Sequence, residues 1–180
     1  MDPKARPGVG PDRFLRSPGL RIAGRSDYIS AMLGDLYSNK ILAAAGAIPP
    51  ARRLKAPDAT ATKVSRVCGS EVSVDLLVRE GKIADFGMAA KACALGQASA
   101  SIVARNIVGA EPDELFRLRD EMRAMLKEGG QPPAGARWRD LAALEPIRDY
   151  PQRHASTLLV FEAVAACLDE LRTKGLIPAI

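Results

Sequence analysis

Three cysteines and a single histidine are the residues of this 180-residue chain best suited to holding a soft metal: Cys68, Cys93, Cys167 and His154. Thiolates and neutral imidazole bind zinc, iron and iron–sulfur groups. Cys68 is followed by Gly69-Ser70, which is free of bulk, and Arg66 lies close by. Cys93 stands just ahead of a predicted helix, with Lys91 nearby. The unpaired N–H groups of a helix start favour an anion there. Spacing alone leaves two readings open. The pair are soft-metal ligands, or they are buried structural cysteines, since free cysteine is commonly buried and two ligands do not define a metal site. His154 is either a further ligand or proton carrier, or a polar residue at a helix end. Cys167 falls among Val160, Val164, Leu168 and Leu171 at helical spacing and reads as core.

The elements between the two cysteines decide where they go. Val72, Val74, Leu76 and Val78 alternate with Ser73, Asp75, Leu77 and Arg79, a strand with one buried face. Glu80-Gly81-Lys82 turns the chain, and Ile83–Met88 returns. Matching apolar positions pairs Val74 with Met88, Leu76 with Phe86 and Val78 with Ala84. A one-residue slip would set Leu76 against Asp85 on the core face. The same register carries Cys68 opposite Ala94, one residue from Cys93. An antiparallel hairpin returns the chain to where it began, so both thiols emerge at one end of the sheet.

Around this hairpin the pattern predicts a helix from Ser26 or Asp27 to about Ala45 and a loop over 51–61, then a short strand Thr62–Val67. Helices follow over about Ala94–Val108, Pro112–Lys127, Arg137–Leu144 and Ala155–Lys174. The charged pairs of 112–127 read as a solvated face, and Trp138 as a packing anchor. Strands followed by helices, without strict alternation, argue for an α+β fold: a small antiparallel three-stranded sheet packed against about five helices. Residues 1–25, rich in Pro and Gly, read as a flexible basic extension ahead of a single domain over 26–180.

Charge narrows the function classes. The net charge is +5, but residues 1–25 hold six basic and two acidic side chains, leaving 20 basic and 19 acidic on the body. The body lacks the basic run expected of a nucleic-acid binder. No apolar run approaches the roughly 20 residues that span a bilayer, and the first 25 residues lack an apolar export segment. An odd number of cysteines in such a chain fits reduced thiols in a cytoplasm.

The segments Cys68-Gly69-Ser70, Ala92-Cys93-Ala94 and Ala98-Ser99-Ala100-Ser101 resemble the core of IscU/NifU/SufU-type iron–sulfur cluster scaffolds. There a Cys-Gly-Asp precedes a hairpin, and a second Cys precedes a helix opening with Ala and Ser. Met32–Ser38 looks like that family's first helix, and Asp140–Leu144, Tyr150–Arg153 and Ser156–Leu158 are most similar to the SufU branch. The resemblance covers roughly residues 28–170. It implies a scaffold or carrier, not an enzyme in the ordinary sense. Such a protein binds iron or a nascent cluster, receives sulfur from a cysteine desulfurase and passes the cluster to apo iron–sulfur proteins. It also implies a monomer or a cluster-bridged homodimer. Two departures stand out: Ser70 replaces the family's Asp, and Ala155 replaces its third Cys. The implied donor set is therefore Cys68, Cys93 and His154, with Ser70, Asp85 or an outside ligand in reserve. Leu144-Glu145-Pro146-Ile147-Arg148 is similar to the family's chaperone-binding motif but lies further from Ala155 than that motif would. A zinc-bound, SufU-like sulfur acceptor and a metal-free partner-binding relative are the alternatives.

Overall fold

Glu80 and Gly81 have φ of 53° and 74°, the left-handed pair that a two-residue type I′ turn needs. The turn joins β2 (Glu71–Arg79) to β3 (Lys82–Lys91) and sets Arg79 opposite Lys82. The computed structural model describes residues 38–178. Val74 pairs with Met88 and Leu76 with Phe86, as the apolar pattern predicts. Near the turn the register differs: Val78 faces Ile83, not Ala84, because the ladder shifts between Leu77 and Val78. A two-residue turn and the apolar match further along demand registers one residue apart. Ala84, left unpaired on β3, absorbs the difference as a bulge. The bulge buries Ile83 in the core and leaves Ala84 exposed.

The third strand, β1 (Ala59–Val64), pairs antiparallel with β2 in the order β1-β2-β3. It starts and stops three residues before the predicted Thr62–Val67. Residues 65–70 instead close a tight loop, with Ser65 N–H donating to Ser70 O and Gly69 N–H to Ser65 O, both at 2.8 Å.

Helices cover one face of the sheet. They are α1 (Asn39–Gly46), α2 (Ala94–Asn106), α3 (Pro112–Lys127) and α4 (Pro151–Thr173), with a 3₁₀ segment at Arg139–Asp149. With that segment, five helices pack against a three-stranded antiparallel sheet, which is the α+β fold expected. α4 crosses β1 and β2 with Leu158, Phe161, Val164, Leu168 and Leu171 buried, and α2 reaches β3. Cys167 is fully buried, and loss of water pushes its thiol up to about 12. Trp138 is buried and donates from Nε1 to Glu114 Oε1 at 2.7 Å.

Several boundaries depart from the pattern. The predicted first helix lies mostly outside the described residues. Within them, Ser38 has extended backbone (ψ 154°) and caps α1 by accepting from Ile41 N–H. The predicted helix 137–144 is a 3₁₀ run that continues to Asp149, with Pro146 inside it. Proline lacks the N–H an α-helix interior requires. α4 begins at Pro151, four residues early, because proline suits a first helical position.

The second face of the sheet is not simply solvated. Asp75 is 1% exposed there. Arg53 grips it with Nε to Oδ2 and Nη2 to Oδ1, both 2.6 Å, and Leu54 N–H and Thr60 Oγ1 donate at 3.0 and 2.7 Å. Residues 52–54 lie over the strands through a two-way backbone pairing of Arg52 with Met88. Gly87 makes room for them: a Cβ there would sit 2.9 Å from Asp75 Oδ2 and 3.0 Å from both Arg52 O and Leu54 N. The Arg53 hydrogen bond, helped by Thr60 and Leu54, lowers the Asp75 carboxyl to about 2 despite burial. A carboxylate depressed in the folded state stabilises above its unfolded pKa of about 3.9, and that stability is lost as pH falls toward 2. Asp75→Asn should cost about 2–3 kcal/mol at neutral pH and flatten the urea-denaturation stability between about pH 4 and pH 2.

Candidate functional site

The β1–β2 loop and the β3–α2 junction meet at one end of the sheet, since Val64, Glu71 and Lys91 stand side by side as its last paired residues there. Cys68 projects from the loop and is exposed, while Cys93 is half-buried at the N-cap position of α2. Ser70, which is buried, joins them: its Oγ lies 3.1 Å from Cys68 Sγ and accepts the Cys93 N–H at 3.3 Å. Ser65 Oγ is 3.4 Å from Cys68 Sγ. On the other side, Cys93 S–H points to Ser156 Oγ at 3.6 Å, and Ser156 donates to Arg153 O at 3.0 Å. Each thiol therefore has a hydroxyl beside it, and Ser70 ties the two cysteine residues into one niche. Arg66 and Lys91, two residues from Cys68 and Cys93 in the chain, are exposed.

Close helix packing holds Ser156 in place. A Cβ on Gly96 would lie 2.8 Å from Ala92 Cβ and 3.1 Å from Ser156 O, so only glycine lets α2 and α4 approach this closely. The hydroxyls act on Cys68. Hydrogen bonds from Ser65 and then Ser70, with smaller help from the Ser70 backbone and Ser156, lower its thiol to about 7 against the effect of partial burial. A substantial fraction is thiolate at neutral pH, and the thiolate is the form that binds metals and attacks sulfur.

The remaining predicted residues divide. Ser70 lies at the niche, where it contacts both cysteine residues. His154 is buried in the first turn of α4, and its Nε2 lies 3.1 Å from Ile147 O and 3.0 Å from Arg148 O. Two carbonyls at one nitrogen make Nε2 the donor and leave Nδ1 as the atom free to ligate. Ala155 is exposed. Asp85 sits near the hairpin turn, paired with Arg52, at the end of the sheet away from the cysteines, so it is not a reserve ligand. Among the described residues, no three His, Cys, Asp or Glu side chains come together in a group that could hold a metal ion. Leu144 and Ile147 of the chaperone-like segment are fully buried. The sequence pattern does not single out the hydroxyls of Ser156 and Ser65. The signal for Ser156 is Pro151, which starts α4 early enough to put residue 156 level with Cys93.

The family profile described as the NifU-like N terminal domain matches residues 36–157. The chain belongs to that family. A crystal structure of the N-terminal part of a nitrogen-fixing NifU-like protein from Brucella abortus is 50% identical, with a TM-score of 0.77, over 79% of this chain and 99% of that one. The iron–sulfur cluster assembly scaffold protein IscU of Thermotoga maritima is 27% identical over 121 residues, covering 66% of this chain and 84% of that protein. A proposed SUF-system scaffold from Fervidobacterium islandicum AW-1 shares the fold at 20% identity and a TM-score of 0.68, over 75% of this chain and 98% of that one.

The hydroxyl-lined niche predicts an order of thiol reactivity. Iodoacetamide at pH 7 should label Cys68 first, with a rate that rises through a midpoint near pH 7. Cys167 should stay unlabelled until the protein is denatured. Ser70→Ala should move the Cys68 midpoint toward the ordinary thiol value of about 8.5, read by peptide mass mapping of timed samples.

Proposed function

We propose that this NifU-like domain is an iron–sulfur cluster assembly scaffold or carrier, binding iron or a nascent cluster through the Cys68 and Cys93 thiolates. The observation that carries the reading is that Cys68 and Cys93 emerge at one end of the sheet, where Ser70 Oγ touches the Cys68 thiol and accepts the Cys93 backbone N–H. The named relatives of the same family support it. In this reading the protein turns over no small substrate. A cysteine desulfurase supplies the sulfur and apo iron–sulfur proteins receive the cluster, in a cytoplasm that keeps the thiols reduced.

Ser70 contributes by holding the thiols in register and is at most a weak oxygen donor. In this reading His154 is the third donor, through Nδ1, and metal binding has to draw it toward the thiols, since the three side chains do not group together among the described residues. Two thiolates per chain also suit a cluster shared between two copies, with sulfur ligands from each. Zinc at the same thiols, in a sulfur-accepting accessory of the desulfurase, is the alternative use of this donor set. A metal-free, partner-binding role draws on Ala155, whose methyl group stands where the family carries a third thiol.

Anaerobic reconstitution with iron and sulfide, or with zinc, followed by metal and acid-labile sulfide analysis, separates these roles. Iron with sulfide is the expected result, whereas zinc without sulfide points to the sulfur acceptor and neither to the metal-free role. Cys68→Ser and Cys93→Ser should each lower metal loading at least about tenfold, the scale on which a lost ligand or its support acts. Cys167→Ser should load normally. Loss of metal in His154→Ala at unchanged melting temperature assigns the third donor to Nδ1. Normal loading assigns His154 to tying α4 onto the 3₁₀ segment.

A further inference from the structure

The same niche is built for a second, covalent event. We propose that Cys68 and Cys93 form a reversible intramolecular disulfide that closes the site under oxidation.

Geometry supports the pairing. A disulfide needs Cα atoms within roughly 4.4–6.8 Å and side chains able to turn toward each other. The β2–β3 ladder ends at Glu71–Lys91, so the two loops that follow leave the sheet side by side. Ser70 Oγ bridges them, 3.1 Å from Cys68 Sγ and 3.3 Å from Cys93 N. On the far side, Ser156 Oγ lies 3.6 Å from Cys93 Sγ.

One partner is fixed and the other can give. Cys93 is anchored as the N-cap of α2, with Gln97 N–H on its carbonyl at 2.9 Å. Cys68 is exposed on a loop whose next residue, Gly69, has φ +68° and open space around its Cα. Rotation there moves Cys68 at little steric cost, the Gly69 N–H bond to Ser65 O being the contact given up.

The third cysteine cannot interfere. Cys167 is fully buried behind β2, its Sγ against Val74 O. Ala155, exposed in the first turn of α4, brings no sulfur that could attack the bond. Once formed, the disulfide persists until an external thiol arrives.

The chemistry closes with a peroxide as oxidant. The Cys68 thiolate attacks one oxygen of hydrogen peroxide, the O–O bond breaks, and sulfenic acid and hydroxide form. The Cys93 sulfur then attacks the sulfenic sulfur, the S–O bond breaks, and the S–S bond forms with release of a second hydroxide. The two thiol protons convert both hydroxides to water. Two thiols and one peroxide become one disulfide and two waters, and a dithiol reductant reverses the change by exchange.

The loss of metal capacity on oxidation rests on the scaffold reading above, while the disulfide itself does not. The test treats metal-free protein with one equivalent of hydrogen peroxide, then unfolds it, alkylates it with iodoacetamide and maps the peptides by mass. The expected product is monomeric, carries a single alkyl group, on Cys167, and yields a peptide linking Cys68 to Cys93 that dithiothreitol cleaves. Zinc uptake by the oxidised protein should be at least about tenfold lower than before and return on reduction, as expected when both thiolate ligands are consumed. Cys68 overoxidised to sulfinic acid, an interchain Cys68–Cys68 dimer, or two freely alkylated thiols would each overturn the proposal. A disulfide in a protein whose reduced form takes up neither zinc nor iron with sulfide would leave the proposal standing and count against the scaffold reading alone.

Discussion

The two-residue turn at Glu80-Gly81 and the bulge at Ala84 together fix the β2–β3 ladder, and the placement of both cysteines depends on that ladder. A slip of one residue would exchange the faces of the whole strand. It would expose Val74 and Leu76, bury Arg79 and part Cys68 from Cys93. The turn alone would impose the wrong register on the apolar residues, and the bulge reconciles the two. Burial of Val72, Val74, Leu76, Ile83, Phe86 and Met88 against α2 and α4 stabilises that outcome. The Asp75–Arg53 cluster holds the opposite face in the same register, because Gly87 admits residues 52–54 only where it stands opposite Asp75.

A second constraint comes from helix packing. Gly96 on α2 brings the start of α4 close enough for Ser156 to reach Cys93. Ser70 reaches from the loop side, so the niche has one wall from the sheet and one from the helices. Hydroxyls are suited to this place. They donate to a thiolate, yet they add no charge that would repel a second thiolate or compete strongly for a soft ion.

Much of this was legible in the sequence. Alternation from Val72 to Val78 identified β2, and the return of the chain after Glu80-Gly81 placed Cys68 and Cys93 together without knowledge of any relative. Helix α3 was readable to the residue, because Pro112 opens it and Gly129-Gly130 follows its end. What escaped has physical causes. Apolar matching does not count turn residues, so the bulge at Ala84 was invisible. Asp75 read as solvated, because its partner Arg53 lies 22 positions away in an irregular segment. Apolar periodicity starts α4 at Ala155, four residues late, which hides Ser156 and sets His154 at a helix tip, whereas the structure turns its Nε2 onto backbone carbonyls.

X-ray absorption at the zinc edge of the zinc-loaded protein tests the central claim most directly, because it counts the sulfur atoms around the metal. Two thiolates meeting at one niche predict two sulfur scatterers per zinc in the monomer, at about 2.3 Å, with the rest of the shell nitrogen or oxygen at about 2.0–2.2 Å. Cys68→Ser and Cys93→Ser should each remove one of them. A shell of nitrogen and oxygen alone, or a sulfur count unchanged in both variants, would contradict the account.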